Sequence, residues 1–210
     1  KKARTRKPRG PQPKPPQPGP RDRDQYNFTD PDSRIMKNSN NDGFDQHDNA
    51  QVATDHDSLL IVAYSLSNHA NDQAAVEPTL DALPDALGTP PAGALDTGYF
   101  SAANMTALEQ RGIEPYIAVG RQAHHHHWSV YCAPPPAPPP DDASPLVKMA
   151  AKLQTEIGQA IYRLRKCTVE PVFGIIKEVL GFRQFSLRGW EAAAGEWCLV
   201  CLAFNLKRLH

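Results

Sequence analysis

The sequence has few cysteines and no long apolar run. Only four of its 210 residues are cysteine, too few and too scattered for the disulfide framework of a small secreted domain. Cys198 and Cys201 form a CxxC pair, but they lie in the apolar run WCLVCLAF, where small core residues are expected. No segment is apolar over the length that crosses a membrane, and no signal-peptide pattern is present. These absences predict an intracellular protein without a membrane partner.

The net charge of zero hides an uneven distribution. Residues 1–23 hold 9 Lys+Arg against 1 acid, residues 24–143 hold 4 against 17, and residues 144–210 hold 10 against 5. Two basic parts therefore flank an acidic middle. This arrangement suits a site in which carboxylates hold cations while the surrounding bases hold phosphates.

Residues 1–23 are rich in proline and in basic side chains, and they contain almost nothing apolar to bury. They predict a disordered, extended arm that does not fold alone. Two interpretations stay open for this arm. It is either a solvated spacer or a basic arm that grips DNA phosphates.

From residue 24 onward the pattern predicts an α/β domain with the order β-β-α-β-α-β followed by helices. The runs at residues 43–55 and 58–68 flank a turn and predict a hairpin. A helix over residues 73–86 follows, capped from Asn71-Asp72, although Pro78 limits its regularity.

A short strand through Leu95 should then end at Asp96. The pattern next predicts a helix capped by Ser101 and closed by Gly112, with Met105 and Leu108 facing inward, and a strand over residues 113–120.

Residues 121–143 predict a long loop rich in histidine and proline. Its four consecutive histidines cannot all converge on one ion, because zinc ligands are normally spaced two to five residues apart. The run therefore predicts a polar loop and not a metal site.

The remaining residues predict helices. Ser144-Pro145 is typical of a helix start. Pro171 should either kink the following helix or mark a new helix that Thr168 caps. The last helix, about residues 191–209, has a nearly all-apolar centre and should be sandwiched in a core.

The segment YRLRKCTVEPVFGIIK, residues 162–177, places Arg163, Lys166, Glu170 and Lys177 along one stripe of a helix. The opposite side should be buried through five apolar residues: Val172, Ile175, Ile176, Val179 and Leu180. From spacing alone, the stripe is either a solvated face held by ion pairs or a carboxylate placed among bases to do chemistry on phosphates.

Several segments in series resemble the DDE transposases of bacterial insertion sequences, which have a ribonuclease H-like catalytic domain. The resemblance rests on QYNFTDPDSRIMK, AQVATDHDSLLIVAYSLSNHANDQAAV, LDTGYFSAANMTALEQRGIEPYIAVGR and YRLRKCTVEPVFGIIKEVLGF, which occur in the family's order. It covers almost everything after residue 23. The resemblance implies a mixed sheet flanked by helices, with residues 24–210 as part of the catalytic domain.

The resemblance also implies site residues. The family's aspartate before a GYFS-like turn matches Asp96, and its helical glutamate matches Glu170. Its DNA-contacting bases match Arg165, Lys166 and Lys177, although Lys166 and not Arg165 has the family's usual spacing from the glutamate. Such enzymes use Mg²⁺ or Mn²⁺, and aspartate and glutamate supply the oxygen ligands that these hard ions prefer.

The first of the three catalytic carboxylates is harder to assign. Counting back from Asp96 in the implied fold gives a helix and a hairpin, which would be strands two and three. We therefore expect the first strand, with its aspartate, to lie before residue 1. Asp55 at the hairpin turn is the alternative, and its other interpretation is a structural turn residue.

The resemblance thus predicts the C-terminal part of a bacterial transposase that cleaves and joins DNA strands in recombination. It would bind transposon ends and target DNA, form a homodimer in the full-length protein, and work in the cytoplasm at the nucleoid. The alternative is a catalytically inactive remnant or regulator that only binds DNA.

Overall fold

The computed structural model describes Gly19 and residues 26–37, 43–120 and 138–210. The predicted arm, apart from Gly19, and the histidine run of the predicted loop lie outside these residues. Among the described residues, no helix is both long and apolar enough to span a membrane.

The first two strands form a small exposed hairpin. Strand β1 (Arg34–Lys37) pairs antiparallel with β2 (Phe44–His47), with Arg34 opposite His47. The sequence predicted one strand over residues 43–55, and this is wrong because the run divides at Asp48. All four β2 residues are exposed, whereas the strand after Asp48 has a buried side. The two halves therefore pair with different partners.

The predicted hairpin at the centre of this region is confirmed. Strand β3 (Asn49–Thr54) pairs antiparallel with β4 (Ile61–Ser67). Ile61 and Ala63 are buried on β4, so this strand packs one side on the core. The turn between the strands includes Leu59 with a φ of 59°.

The single helix predicted over residues 73–86 is wrong. The segment forms a 3₁₀ turn (Asp72–Ala75), a short helix α1 (Val76–Asp81) and a second 3₁₀ turn (Asp85–Leu87). Pro84 lies between α1 and the second 3₁₀ turn and lacks the backbone donor that would continue a helix, whereas Pro78 lies in the first turn of α1, where proline is tolerated.

A β-α-β unit follows, as the sequence predicted. Strand β5 (Ala92–Leu95) lies parallel to β6 (Glu114–Ile117), and helix α2 (Ala102–Gln110) connects them. Ser101 caps α2 by accepting a hydrogen bond from the Asn104 amide at 3.0 Å. Gly112 closes the helix with a φ of 74°, a conformation that favours glycine.

The described strands form three separate two-stranded sheets, and β3 does not pair with β5. The predicted mixed α/β architecture is confirmed at this level. Helix packing and side-chain hydrogen bonds, not a continuous ladder, connect the β3–β4 and β5–β6 pairs.

Two helices follow the loop. Helix α3 (Pro145–Gln154) starts after Ser144, as predicted, and α4 (Glu156–Gly174) runs on into a π-helical turn (Ile175–Val179). A new helix start capped by Thr168 is wrong, because α4 passes through Pro171 without a break. Instead, Thr168 Oγ1 donates back along its own helix to the carbonyls of Leu164 and Arg165.

Burial explains why the helix tolerates its proline. Val172 and Ile176 are each 1% exposed and pack in the main core, so tertiary contacts hold this stretch in place. The predicted burial of Val179 is wrong, since this side chain is 56% exposed. A π turn changes the angular spacing of the residues, and it turns Val179 away from the core.

The last helix, α5 (Trp190–Leu209), is buried on one side only. Trp197, Cys201 and Phe204 pack in the main core with Ile61 of β4. The predicted sandwiching is wrong, because four leucines of α5 are exposed among the described residues: Leu199, Leu202, Leu206 and Leu209. Their apolar character misled the sequence prediction, which took an apolar centre as a sign of burial on all sides.

Candidate active site

Asp96 stands at the carboxyl end of β5, where parallel sheets commonly present functional side chains. It caps the 3₁₀ turn Thr97–Tyr99, and its Oδ1 accepts a hydrogen bond from the Thr97 amide at 2.7 Å. Its side chain is 54% exposed. The sequence placed Asp96 at a strand end, and the structure confirms that position.

Arg165 of α4 forms an ion pair with Asp96. Its Nη1 donates to Asp96 Oδ2 at 3.3 Å, and its side chain is only 18% exposed. The guanidinium carbon also lies 5.4 Å from the centroid of the Tyr162 ring. Arg165 Nε is buried without a hydrogen-bond partner in the described structure. This arginine is therefore held against the predicted catalytic carboxylate and retains a donor that is unused.

Glu170 lies on the same helix but on another side of it. It is five positions after Arg165, which corresponds to about 7.5 Å along the helix and about 140° around it. Glu170 is exposed on α4, as either a solvated residue or a catalytic carboxylate would be. The assignment of Glu170 as a catalytic residue therefore remains a prediction.

Asp55 is engaged within the β3–β4 turn. Its Oδ2 accepts from the Ser58 amide at 2.8 Å and from Ser58 Oγ at 2.6 Å. These hydrogen bonds to Ser58, side chain first, hold the pKa of Asp55 below its usual value. They support the interpretation of Asp55 as a turn residue, which the sequence had left open beside a catalytic one.

Replacing Asp55 by alanine should lower the free energy of unfolding near neutral pH by about 1 kcal/mol, because both hydrogen bonds to Ser58 are lost but lie at a turn that solvent reaches. Because the folded-state pKa is depressed, the stabilisation is present above the unfolded-state pKa and is lost as the pH falls through the folded-state pKa. Urea unfolding at pH 7 and at acid pH measures this difference. Asp57→Ala is the control, since its side chain is 93% exposed, and an equal effect at both pH values would contradict the assignment.

A magnesium site needs several oxygen ligands that lie close together. Among the described residues, no group of three or more His, Cys, Asp or Glu side chains lies close enough to hold a metal ion. The carboxylates of Asp96 and Glu170 are the kind of oxygen ligand that Mg²⁺ and Mn²⁺ prefer, and their assignment to a metal site stays a prediction.

The predicted DNA-binding bases lie in different parts of the structure. Arg163 is exposed on α4, and the side chain of Lys166 lies outside what the structure describes. Lys177 is in the π turn, with Nζ 6.0 Å from the centroid of the Phe173 ring. The π turn has a residue spacing different from the α-helical spacing on which the predicted stripe was based, so the place of Lys177 on that stripe stays a prediction.

Lys177 lines a groove of about 770 Å³ beside the first hairpin. Asp30 and Asp48 also line this groove, and burial, followed by the charges of Asp30 and Asp32, raises the pKa of Asp48. Arg183, a further lining residue, is paired with Glu178 at 2.7 Å. The groove thus carries charges of both signs and does not by itself indicate a phosphate site.

Sequence reasoning missed three residues beneath Asp96. Asp72 had been seen only as part of a helix cap, and Gln51 and Tyr99 had no assigned role. The structure connects them by hydrogen bonds to one another and to Asn49. No local signal predicted this network, because its members are far apart in sequence.

One comparison with known proteins identifies a family. The family model described as "Transposase DDE domain" matches residues 23–206. No curated protein and no solved structure matches the chain.

Proposed function

Because the chain belongs to the family of transposase DDE domains, we propose that it acts in metal-dependent cleavage and transfer of DNA strands during transposition. The family match, which spans most of the chain, carries this proposal. The position of Asp96 at a strand end, against a helix that bears basic residues, supports it.

The proposed divalent ion is Mg²⁺ or Mn²⁺, with Asp96 and Glu170 among its ligands. Such an ion neutralises charge on a reacting phosphate and lowers the pKa of a bound water. The chain's own contribution at this point is to present the Asp96 carboxylate at a fixed place and to keep Arg165 beside it. The Arg165 side chain is only 18% exposed, so its contribution is the ion pair that holds the Asp96 carboxylate.

We propose that the first catalytic carboxylate lies on a strand from outside the described residues, placed between β3 and β5. Each of these strands has a partner on one side only in the described sheets. Helix α4 contacts both strands, and the hydrogen bond from Tyr99 to Gln51 keeps the two sheets together. An unpaired strand edge on each side of a gap favours pairing with a further strand.

DNA is the proposed substrate, and the basic residues are the proposed phosphate contacts. Arg163, Lys166 and Lys177 would serve on and after α4, and the basic arm at residues 1–23 would contribute independently of sequence. A bacterial insertion sequence as the source, a location at the nucleoid and a homodimer stay predictions from the resemblance.

Deletion of residues 1–23 should weaken DNA binding and flatten its salt dependence, because the deletion removes nine basic residues. The slope of log K against log salt should fall by about 0.9 for each phosphate of duplex DNA that the arm no longer neutralises. Fluorescence anisotropy with duplex DNA over a salt series measures this slope. A matched arm of the same length, with its nine bases replaced by glutamine, should behave like the deletion. An unchanged slope would show that the arm is a spacer.

A second candidate function is DNA binding without cleavage, by an inactive remnant or regulator. The basic residues of the arm and of α4 support it, because binding to DNA phosphates needs no carboxylate. Manganese binding and cleavage of DNA ends separate the two candidates. A catalytic domain should bind Mn²⁺ and release cleaved strands. A protein that only binds DNA should retain salt-dependent DNA affinity, with weak or absent manganese binding and no cleavage.

A further inference from the structure

A polar network lies beneath the turn that carries Asp96, here called the Asp96 turn (residues 96–99). Its charged member is Asp72, whose Oδ1 accepts from Asn49 Nδ2 at 2.7 Å and from Gln51 Nε2 at 3.2 Å. Gln51 is only 7% exposed. A buried amide must satisfy its donors and acceptors internally, so these bonds determine how the Gln51 side chain is oriented.

The charge of Asp72 specifies that orientation. An ionised carboxylate can only accept hydrogen bonds, so the amide nitrogen of Gln51 must face it. Gln51 Nε2 also donates to Asn49 Oδ1 at 2.7 Å. The amide oxygen therefore points the other way, where it accepts a hydrogen bond from the Tyr99 hydroxyl.

Tyr99 closes the Asp96 turn. Its backbone amide donates to the Asp96 carbonyl at 3.1 Å, and its own carbonyl accepts from Asn104 Nδ2 at 2.7 Å. Burial, followed by the negative charges of Asp72 and Asp96, raises the pKa of Tyr99. The hydroxyl therefore stays protonated and remains a donor to Gln51.

Asp72 also meets the turn directly. A Cβ atom added at Gly98 would lie 2.8 Å from Asp72 Oδ2, which is closer than real Cβ contacts allow. The backbone of the turn thus rests against this carboxylate at a position where the absence of a side chain permits close approach. Asp72 acts on the turn by two routes, through Gln51 and Tyr99 and through the contact at Gly98.

We infer that Asp72 is a positioning residue for Asp96, because it fixes the Gln51–Tyr99 hydrogen bond and supports the backbone of the turn that presents the Asp96 carboxylate. Only the expected effect of Asp72 on DNA cleavage rests on the proposed function. The structural part concerns the Asp96 turn alone and is tested separately.

The first test is amide hydrogen exchange in Asp72→Ala and Asp72→Asn, resolved at the amide of Tyr99. In Asp72→Ala this amide should exchange about tenfold faster, the effect of losing roughly one hydrogen bond to a charged group. The exchange rates of the β6 amides should be unchanged. Asp72→Asn keeps an oxygen acceptor for Asn49 and Gln51, and should retain most of the protection. Glu77→Gln, an exposed acid on α1, is the matched control.

The second test is DNA-end cleavage with the same variants. Asp72→Ala should lower the cleavage rate about tenfold or more with unchanged DNA affinity, because Asp96 is displaced and no DNA contact is removed. Asp72→Asn should recover much of that loss. Two results for Asp72→Ala would overturn the inference. One is uniformly faster amide exchange throughout the protein, and the other is an unchanged exchange rate at the Tyr99 amide. If wild type shows no cleavage but the exchange result holds, the proposed function fails and the positioning role stands.

Discussion

Replacing Asp96 by asparagine should abolish metal-dependent cleavage of DNA ends and leave the fold intact. The carboxylate is more than half exposed, and its described contacts are the Thr97 amide and Arg165. Asparagine is nearly the same size and keeps an oxygen that can cap the turn. Its loss of charge removes an anionic ligand, whose contribution of several kcal/mol corresponds to about a thousandfold in rate.

Single-turnover cleavage of labelled DNA ends in Mg²⁺ and in Mn²⁺ measures this effect, with circular dichroism as the check on folding. Asp85→Asn is the matched control, because Asp85 is an exposed acid in a 3₁₀ turn of the same chain. Glu170→Gln, made in parallel, tests the second predicted carboxylate. Cleavage that survives in Asp96→Asn would remove Asp96 from the catalytic residues. Loss of cleavage in Asp85→Asn as well would show that the assay responds to general charge.

Replacing Trp197 by alanine should reduce the free energy of unfolding by about 3–5 kcal/mol. Trp197 is 2% exposed, and its ring lies near three phenylalanine rings: Phe173, Phe182 and Phe185. Its Nε1 donates to the Gln51 carbonyl at 3.1 Å, so the substitution also removes a buried hydrogen bond. Since domains of this kind are stable by only about 5–15 kcal/mol, the substitution should remove a large part of the stability.

Urea denaturation followed by circular dichroism measures this loss. Trp190→Ala on the same helix is the matched control. Because Trp190 is 37% exposed, this substitution should lower the free energy of unfolding far less. Trp197→Phe keeps a ring in the core and should fall between the two. Equal destabilisation by Trp190→Ala and Trp197→Ala would contradict the view that α5 is held by its inner side alone.

Local signals predicted much of the fold because their physical causes act over a few residues. Ser101 caps α2 through the amide of Asn104, three positions away, and Gly112 ends the helix through its own positive φ. The β3–β4 turn and the strand that ends at Asp96 were predicted for the same reason. The identities of a few neighbouring residues are enough to specify such caps, turns and strand ends.

Local signals failed where packing overrode them. Pro171 was expected to kink or restart a helix, but α4 passes through it without a restart while its neighbours Val172 and Ile176 are buried in the core. The helix predicted after Asn71 instead forms three short pieces, and Pro84 stands between the last two. The effect of a proline therefore depended on contacts that its own sequence neighbourhood does not reveal.

By itself, the sequence determined the family, the α/β class and the place of Asp96 at a strand end. Tertiary structure alone decided that Arg165 meets Asp96 across 69 positions and that Gln51 meets Tyr99 across 48. It also decided that Asp72 lies beneath the Asp96 turn and that Asp55 is bound within its own turn. The physical reason is that hydrogen bonds and ion pairs depend on distances in space. Those distances exist only after separate strands and helices have packed against one another.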